Sequence, residues 1–252
     1  MTGWQEPGWA TFGPVRIKGN TNTMVHAQYL TSWKYFRNTK QKTRAMLDFQ
    51  APLARAARGY IGRVVPAGRT AIGMHVRRGD KVDDPGLRLP KLAFYRNAMR
   101  HFEKKHGSRA FFVVATDDVA WVQKQTLFNG TRRVHVISRR HAPEVVQDLC
   151  PCKDNLVGAE LDRCSDQLCP NGFSNRKVYV DAALDLAILA SCADVVVSVG
   201  TFGWWAAWLS GGEVVYFPRE YVMTWPDNRD NFKLEDRFPP EWISIDDDGA
   251  GE

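Results

Sequence analysis

Two consecutive arginines, Arg77 and Arg78, stand out in the segment TAIGMHVRRGD (Thr70–Asp80), which ends in these arginines followed by Gly79 and Asp80. They follow a short apolar run, Ala71–Val76, which is typical of a buried strand. In open α/β sheets, ligands bind just outside the carboxyl ends of strands, where these guanidinium groups are expected. A guanidinium forms paired, charge-assisted hydrogen bonds with phosphate oxygens. The segment therefore predicts a site for a phosphate or a diphosphate.

Two other interpretations of the arginine pair remain open. The pair can lie on a solvated loop, as many charged pairs do. The letters Arg78-Gly79-Asp80 also spell the RGD adhesion tripeptide, although here they directly follow a core strand instead of lying at a loop tip. We favour the anion site over both.

The elements that must position the arginines alternate between strand and helix. Strands are predicted at Thr70–Val76, Phe111–Ala115, Val134–Ser138, Val195–Ser198 and Glu213–Phe217. Helices are predicted at Lys91–His106, Val119–Leu127 and Val178–Ala193, between Gly200 and Gly211, and as an earlier pair broken near Pro52. This alternation predicts an α/β fold with a doubly wound sheet.

A second element suited to an anion follows the predicted strand Val195–Ser198. Gly200 and Gly203 allow close backbone approach, and the helix that opens there can receive an anion at its N-terminus. Neither the GxGxxG fingerprint nor a GxxxxGK[ST] phosphate loop is present. Asp117 and Asp118 could be a metal-binding pair, but adjacent side chains diverge, so we favour helix capping. The sequence thus indicates anion binding without an obvious metal.

Composition and charge restrict the class of protein. The chain has 252 residues, 44% hydrophobic and 25% charged, which fits one or two globular domains. The net charge of +6 is spread over many sites with no lysine-rich arm, so we expect no nucleic-acid partner. No run of eighteen apolar residues occurs, and the first residues lack the features of a signal peptide. We therefore expect no membrane segment in this chain. Either the protein is soluble, or its targeting segment lies outside this chain.

Four of the five cysteines lie together in a polar segment at about 139–176: Cys150, Cys152, Cys164 and Cys169. Their spacing differs from that of most zinc modules, and we favour two disulfides over a metal site or free thiols. Disulfides imply an oxidising compartment, which the Asn-Gly-Thr sequon at Asn129 also suggests. Cys192 falls in an apolar helical pattern and is predicted to be a buried thiol.

Several of these motifs together resemble a known enzyme family. GMHVRRGD, ATDD, DLAILASCADVVVSVGTFGWWAAWLSGG and FPPEWISI are similar to the α-1,2-fucosyltransferases of glycosyltransferase family 11, over about residues 69–138 and 178–245. The HxRRxD element is shared with α-1,6- and protein O-fucosyltransferases, and HVRRGDKV and ATDD are slightly closer to the α-1,6 group. The block GTFGWWAAWLSGG with PPEWI is more specific and favours the α-1,2 family.

The resemblance implies a fold and an activity. It implies a GT-B-like fold, with a doubly wound Rossmann-like domain and a partial second domain. The implied enzyme is inverting and moves L-fucose from GDP-β-L-fucose to the 2-hydroxyl of a terminal galactose on a glycan acceptor. It also implies no metal cofactor and a membrane-anchored location in the Golgi lumen.

The resemblance further suggests how the chain divides into domains. Residues 1–68 are expected to be a remnant of the acceptor-side domain with connecting helices, because the family's G-[RG]-[LF]-G-N-Q motif has no counterpart before Ser32. Residues 69–252 are expected to bind GDP-fucose, with the cysteine-rich insertion at about 139–176. Two alternatives stay open: a fucosyltransferase of another linkage, α-1,6 or protein O-fucosyl, and a non-catalytic remnant that binds a GDP-sugar.

Residue roles follow from the motifs and the resemblance. Arg77, Arg78 and Asp80 are the predicted catalytic residues, with the arginines stabilising the departing diphosphate. The resemblance puts His75 on the guanosine side and Asp185 near the guanine or the ribose. The predicted donor-binding set is His75, Arg77, Arg78, Asp185, Ser198, Thr201, Phe202, Gly203 and Trp204.

The general base and the sugar-binding surface are less well defined by the sequence. Asp80, Asp83 and Asp84 are candidates for the base, and of these Asp80 is the best placed to orient an arginine. Each of the three could instead cap a loop. Trp204, Trp205 and Trp208 could form a platform for a sugar, although we favour a core role for them.

Overall fold

A six-stranded, fully parallel sheet forms the centre of the computed structural model, which describes residues 2–5, 11–15, 23–26, 30–129, 131–137, 176–219 and 232–248. The strands are β3 (Thr70–Val76), β4 (Ala110–Thr116), β5 (Val134–Val136), β6 (Asp194–Val197), β7 (Val214–Tyr216) and β8 (Ile243–Ser244). Their order in the sheet is β5-β4-β3-β6-β7-β8, which is the 3-2-1-4-5-6 order of the Rossmann fold. Two shorter strands, β1 (Thr2–Gln5) and β2 (Thr23–His26), pair in parallel outside this sheet.

The two central strands, β3 and β4, are buried on both faces, which agrees with their continuous apolar sequences. Every residue of β4 is buried, as are the last five residues of β3. In the register, His75 of β3 lies between Ala115 of β4 and Val197 of β6. Strands covered on both sides are typical of parallel sheets, and this burial fixes the position at which β3 ends and Arg77 begins.

Helices cover both faces of the sheet. They are α1 (Lys40–Met46), α2 (Ala51–Val64), α3 (Leu92–His106), α4 (Val119–Lys124), α5 (Arg176–Ala190), α6 (Thr201–Ser210) and α7 (Leu234–Arg237). Helices α3 and α4 pack on one face, through Phe94, Phe102 and Val122. Helices α2, α5 and α6 pack on the other, through Ala57, Ile188 and Ala206. The predicted doubly wound α/β fold is confirmed by this arrangement.

Some helix and strand boundaries differ from those that the sequence predicted. Pro52 does not lie in the break between the first two helices but in the first turn of α2, where its missing N–H costs no hydrogen bond. Helix α4 ends at Lys124 instead of Leu127. The two-residue strand β8 was not predicted because so short a strand carries no periodic pattern.

The segment before α1 is fastened to α7 by hydrogen bonds and an ion pair. Ser32 Oγ donates to the carbonyl of Asp236 at 2.6 Å, and Trp33 Nε1 donates to the carbonyl of Glu235 at 2.9 Å. Lys34 forms an ion pair with Asp236. Helix α2, which follows, packs in the core beside α5, whereas the predicted domain boundary lies at residue 68. The division into domains stays a prediction.

The cysteine predictions divide between the described and the undescribed parts of the chain. Cys192 is buried with a free thiol, and burial raises its pKa to about 12. The four clustered cysteines and the insertion at about 139–176 lie outside the described residues. Among the described helices, none is long and apolar enough to cross a membrane.

Candidate active site

The candidate site lies where the order of the sheet reverses. Strands β3 and β6 are neighbours in the sheet, although their paired residues His75 and Val197 are 122 positions apart in the sequence. Arg77 follows β3, and Ser198 follows β6 and leads through Gly200 into α6. In such sheets the crevice outside the carboxyl ends at the reversal point is the usual place for a ligand.

Arg77 is fixed at this point by three contacts. Its backbone N–H donates to Ser198 Oγ at 3.0 Å, which ties the end of β3 to the end of β6. Its guanidinium donates from Nη1 to Asp117 and from Nη2 to Asp80. The side chain is 30% exposed, so it is both positioned and accessible to a ligand.

Asp117, at the end of the neighbouring strand β4, supports both arginines. One carboxylate oxygen binds the guanidinium of Arg77, and the other accepts the backbone N–H of Arg78 at 2.8 Å. Gly79 has φ +28°, and a Cβ there would lie 2.3 Å from Asp117 Oδ2. The glycine of the RRGD sequence is therefore required by the close approach of Asp117.

Arg78 has a different environment from Arg77. Its guanidinium carbon lies 3.9 Å from the ring centroid of Trp121, and its Nε lies 3.5 Å from an oxygen of Asp118. Asp118 itself caps α4 by accepting the N–H of Trp121 at 3.0 Å, as the sequence predicted. The two arginines were predicted to act alike, but adjacent side chains leave a strand on opposite sides, and Arg78 does not line the cavity.

His75 is buried beside the cavity and is held neutral. Burial, followed by the charge of Arg77, lowers the pKa of His75 to about 3. Its Nδ1 lies 3.3 Å from Ser198 Oγ, and its ring contacts Phe202 with 5.4 Å between centroids. Gly203 packs against the ring, since a Cβ there would lie 2.3 Å from Nδ1. The glycine thus brings the first turn of α6 onto His75.

A cavity of about 760 Å³ opens in front of these groups, a size that suits a small-molecule ligand. It is lined by His75, Arg77, Lys81, Ala115, Thr116, Asp117, Asp181, Ala182, Asp185, Val199, Gly200, Thr201 and Phe202. The cations Arg77 and Lys81 suit an anionic group. Asp181 and Asp185, one turn apart on α5, offer hydrogen-bond acceptors. The cavity can therefore recognise a ligand that has both an anionic group and hydrogen-bond donors.

The loop after Arg77 contains the three predicted candidates for the base, and none of them lines the cavity. Lys81 Nζ lies 3.3 Å from Asp80 and 3.1 Å from Asp84. Desolvation raises the pKa of Asp80, but the charge of Arg77 and the bond from Lys81 outweigh it and hold the pKa below its usual value. The N–H of Gly86, followed by Lys81, lowers the pKa of Asp84. Both carboxylates are therefore weak bases, and Asp83 is exposed.

The structure brings together only part of the predicted donor-binding set. Five of its members line the cavity: His75, Arg77, Asp185, Thr201 and Phe202. Ser198 and Gly203 lie behind them and position Arg77 and His75. Trp204 lies in the core, stacked on Trp208 at 5.2 Å between centroids, and its Nε1 donates to the carbonyl of Arg237 at 2.9 Å. The prediction thus placed the Trp204 side chain in the wrong surroundings, whereas the core role favoured for the tryptophans agrees with its burial.

Three charged residues of the cavity are absent from the predicted set: Lys81, Asp117 and Asp181. Asp181 could have been found from Asp185, because residues four apart lie on the same face of a helix. Asp117 could have been found from its place at the end of the strand that pairs with β3. Lys81 had no such signal, since its position depends on the 3-10 helix that Gly79 begins.

One acidic cluster occurs among the described residues, and its carboxylates form ion pairs with arginines. Asp246, Asp247 and Asp248 follow β8. Asp247 accepts a bond from Arg88 at 2.6 Å, and Arg219 pairs with both Asp246 and Asp248. Each of these carboxylates is paired with an arginine of the protein, so the cluster is best explained as an ion-pair network.

Comparisons with known proteins give the same family as the motifs. The model of the family described as Glycosyl transferase family 11 matches residues 13–159 and 172–246. Galactoside alpha-(1,2)-fucosyltransferase 1 of Saimiri sciureus is 27% identical over 225 residues, which are 85% of this chain and 50% of that protein. The protein of the same name from Homo sapiens is also 27% identical, with the same shares of both chains. The chain spans about half the length of the curated relatives it matches.

A solved structure is similar as well. It is a crystal structure of NodZ alpha-1,6-fucosyltransferase soaked with GDP-fucose. The TM-score is 0.45 at 17% sequence identity, and the match covers 81% of this chain and 56% of that chain.

Proposed function

The chain belongs to glycosyl transferase family 11, and from this we propose that it serves to transfer L-fucose from GDP-β-L-fucose to the 2-hydroxyl of a terminal galactose. The family supports a sugar-transfer reaction, and the names of the curated relatives favour fucose and the α-1,2 linkage. The observation that carries the proposal is the cavity at the point where the sheet reverses, with Arg77 at its edge. That placement suits the diphosphate of a nucleotide sugar.

Arg77 and Lys81 are proposed to bind the diphosphate. Negative charge grows on this group as the bond to the sugar breaks, and a fixed cation at that place lowers the energy of the transition state. Arg77 is held by Ser198 and Asp117 before the ligand arrives, so little reorganisation is needed during the reaction. The first turn of α6, from Thr201, lines the same part of the cavity and adds the favourable field of a helix N-terminus.

The carboxylates of α5 are proposed to face the nucleoside. Asp181 and Asp185 line the cavity together, and a carboxylate is an acceptor for the N–H groups of guanine or the hydroxyls of ribose. His75 is neutral and buried, so it provides a rigid wall and a hydrogen-bonding ring without adding charge. We propose that His75, with Phe202 beside it, lies on the guanosine side of the site.

The test is an assay of GDP release from GDP-β-L-fucose with a β-galactoside acceptor, followed by determination of the linkage in the product by NMR. We expect fucose on the 2-hydroxyl of galactose with inversion at the anomeric carbon. A second arm offers an acceptor with a free 6-hydroxyl on N-acetylglucosamine. Transfer to that acceptor alone would replace the α-1,2 assignment by an α-1,6 one, and no transfer in either arm despite GDP binding would favour a GDP-sugar-binding role.

The proposed reaction uses arginine and lysine where other enzymes use a metal ion. We expect activity in the presence of EDTA to stay within about twofold of the untreated enzyme, because charge-assisted bonds from Arg77 and Lys81 serve the diphosphate. The measurement is the rate of GDP release before and after chelation. Loss of activity that Mn²⁺ or Mg²⁺ restores would contradict this expectation.

A further inference from the structure

The guanidinium of Arg77 is held by two carboxylates whose surroundings differ. Asp117 binds Nη1 and has a side chain that is 22% exposed. Asp80 binds Nη2 and has a side chain that is 64% exposed. Both contacts use the same cation, which the proposed function assigns to the diphosphate. The two carboxylates need not serve the same purpose.

Asp117 is built into the fold. Both of its oxygens are used, by the guanidinium of Arg77 and by the N–H of Arg78. The next residue, Asp118, is fixed because it caps α4 and donates its own N–H to Thr116 Oγ1 at 3.0 Å. Gly79 lies so close that a Cβ would be 2.3 Å from Asp117. Asp117 therefore cannot leave Arg77 without moving the ends of two strands.

Asp80 is attached only locally. It lies in the short 3-10 helix Gly79–Lys81, three residues after Arg77, and its other oxygen is 3.3 Å from Lys81 Nζ. It does not line the cavity. Exposed ion pairs between near neighbours contribute little to stability, so this contact can be exchanged at low cost.

The balance of charge also favours an exchange. Arg77 and Lys81 carry two positive charges, whereas Asp117, Asp80 and Asp84, which contact them, carry three negative ones. With all these contacts in place, the group has a net charge of −1, which opposes the binding of a diphosphate. Asp80 is the most exposed of the three carboxylates and thus the one that can move away into solvent.

We propose that Asp117 is a positioning residue that stays on Arg77, whereas Asp80 is an exchangeable partner whose place on the guanidinium the incoming diphosphate takes. The proposal rests on the proposed function, because it identifies the displacing anion as the diphosphate of a nucleotide sugar. Asp80 binds Nη2 of Arg77 from an exposed position. It is then a competitor that the ligand must displace.

The two roles predict changes of opposite sign. Asp80→Asn removes the competitor, so GDP should bind about twofold to fivefold more tightly, the range expected from an exposed ion pair. Asp117→Asn removes the support, so GDP should bind at least about tenfold more weakly, as for a lost charge-assisted bond. Calorimetric titration of each folded variant with GDP measures both, with thermal unfolding as the check on folding. Equal or weaker binding by Asp80→Asn would overturn the exchange.

A matched control separates exchange from a general effect of charge. Asp83→Asn removes the same charge from the same loop at an exposed position that does not line the cavity, and it should leave GDP affinity within about twofold. The gain from Asp80→Asn should also vanish when Arg77 is replaced by alanine, because it acts through that side chain. The proposal would be contradicted if the gain in GDP affinity persisted without Arg77, or if Asp83→Asn gave the same gain. Either result would show that Asp80 acts only by long-range repulsion of the anion.

A parallel titration with inorganic pyrophosphate separates this inference from the proposed function. If pyrophosphate binds and Asp80→Asn tightens it while GDP does not bind, the exchange stands and the nucleotide-sugar function fails. If GDP binds equally to the protein and to Asp80→Asn, the nucleotide-binding part of the proposed function stands and the exchange fails. If neither anion binds, both are wrong.

Discussion

The two ends of the central sheet carry charged side chains in different ways. At the amino end, Asp194 is buried and accepts bonds from Lys105 at 3.0 Å, from His106 at 2.5 Å and from the N–H of Glu213 at 2.9 Å. At the carboxyl end, Arg77 is also bound by carboxylates but borders a cavity. Charges whose partners close around them stabilise the fold, whereas charges that still face a cavity are available for a ligand.

The glycines of the two ends show the same difference. At the amino end, a Cβ on Gly212 would lie 1.6 Å from the backbone carbonyl oxygen of Ala193. At the carboxyl end, the atoms nearest to a Cβ on Gly203 belong to the side chain of His75. Ala193 is backbone that is itself held by the bond from its N–H to the carbonyl of Ala71 at 2.9 Å, whereas His75 is a buried side chain of the candidate site. A larger residue is thus blocked by backbone at the amino end and by a side chain of the site at the carboxyl end.

The largest effect that tests this contrast is expected for Gly212→Ala. Because the added carbon meets backbone, we expect a loss of about 3 kcal/mol or more in the free energy of unfolding, at the upper end for overpacking. Urea denaturation measures it. Gly62→Ala is the control, since nothing lies within 4 Å of that Cβ in the exposed face of α2, and it should raise stability by about 0.4–1 kcal/mol. If the two variants had similar free energies of unfolding, the close backbone contact at Gly212 would not limit the size of the residue there.

The next effect concerns the buried carboxylate of the amino end. Asp194→Asn should lower the free energy of unfolding by about 2–3 kcal/mol, because the ion pair with Lys105 is lost and the hydrogen bond from His106 is weakened. GDP affinity should not change, since none of these residues lines the cavity. Urea denaturation and calorimetry on the same preparation give both quantities. A clear loss of GDP affinity in a folded variant would show that the two ends are coupled.

Arg77→Ala, at the carboxyl end, should weaken GDP binding and have little effect on stability, the opposite of Asp194→Asn. We expect GDP binding to weaken by about 1.5–3 kcal/mol, the scale of a hydrogen bond to a charged group. The free energy of unfolding should change less, because the side chain is 30% exposed. Arg78→Ala is the comparison, since Arg78 packs on Trp121 away from the cavity, and should affect stability more than GDP binding. An equal loss of GDP affinity in both variants would show that the two arginines act alike, as the sequence predicted.

The smallest of these effects concerns pH. The folded pKa of His75, about 3, is below the unfolded value of 6.5, so as pH falls below 6.5 the unfolded chain binds a proton that the folded protein excludes. Stability that is present above pH 6.5 is then lost at about 1.4 kcal/mol per pH unit, or about 2 kcal/mol between pH 6.5 and pH 5. Urea denaturation of the protein and of His75→Asn over this range isolates the contribution. Parallel curves for the two proteins would show that His75 accepts a proton in the folded state.

The sequence by itself determined the pattern of elements and the ends of the strands. Apolar runs fixed β3 and β4, and the change from Val76 to Arg77 placed a cation at a strand end. The motifs also indicated the family, because the block GTFGWWAAWLSGG with PPEWI is specific. These features are local, since each depends on residues within a few turns or one strand of chain.

Only the tertiary structure decided which charged groups meet. Arg77 is 40 residues from Asp117 and 121 residues from Ser198, and both contacts depend on the order β4-β3-β6, which no local pattern specifies. The same order turned Arg78 onto Trp121. Strand order depends on how buried faces of distant elements fit together, so the partners of a side chain at a strand end follow from packing and not from its neighbours in the sequence.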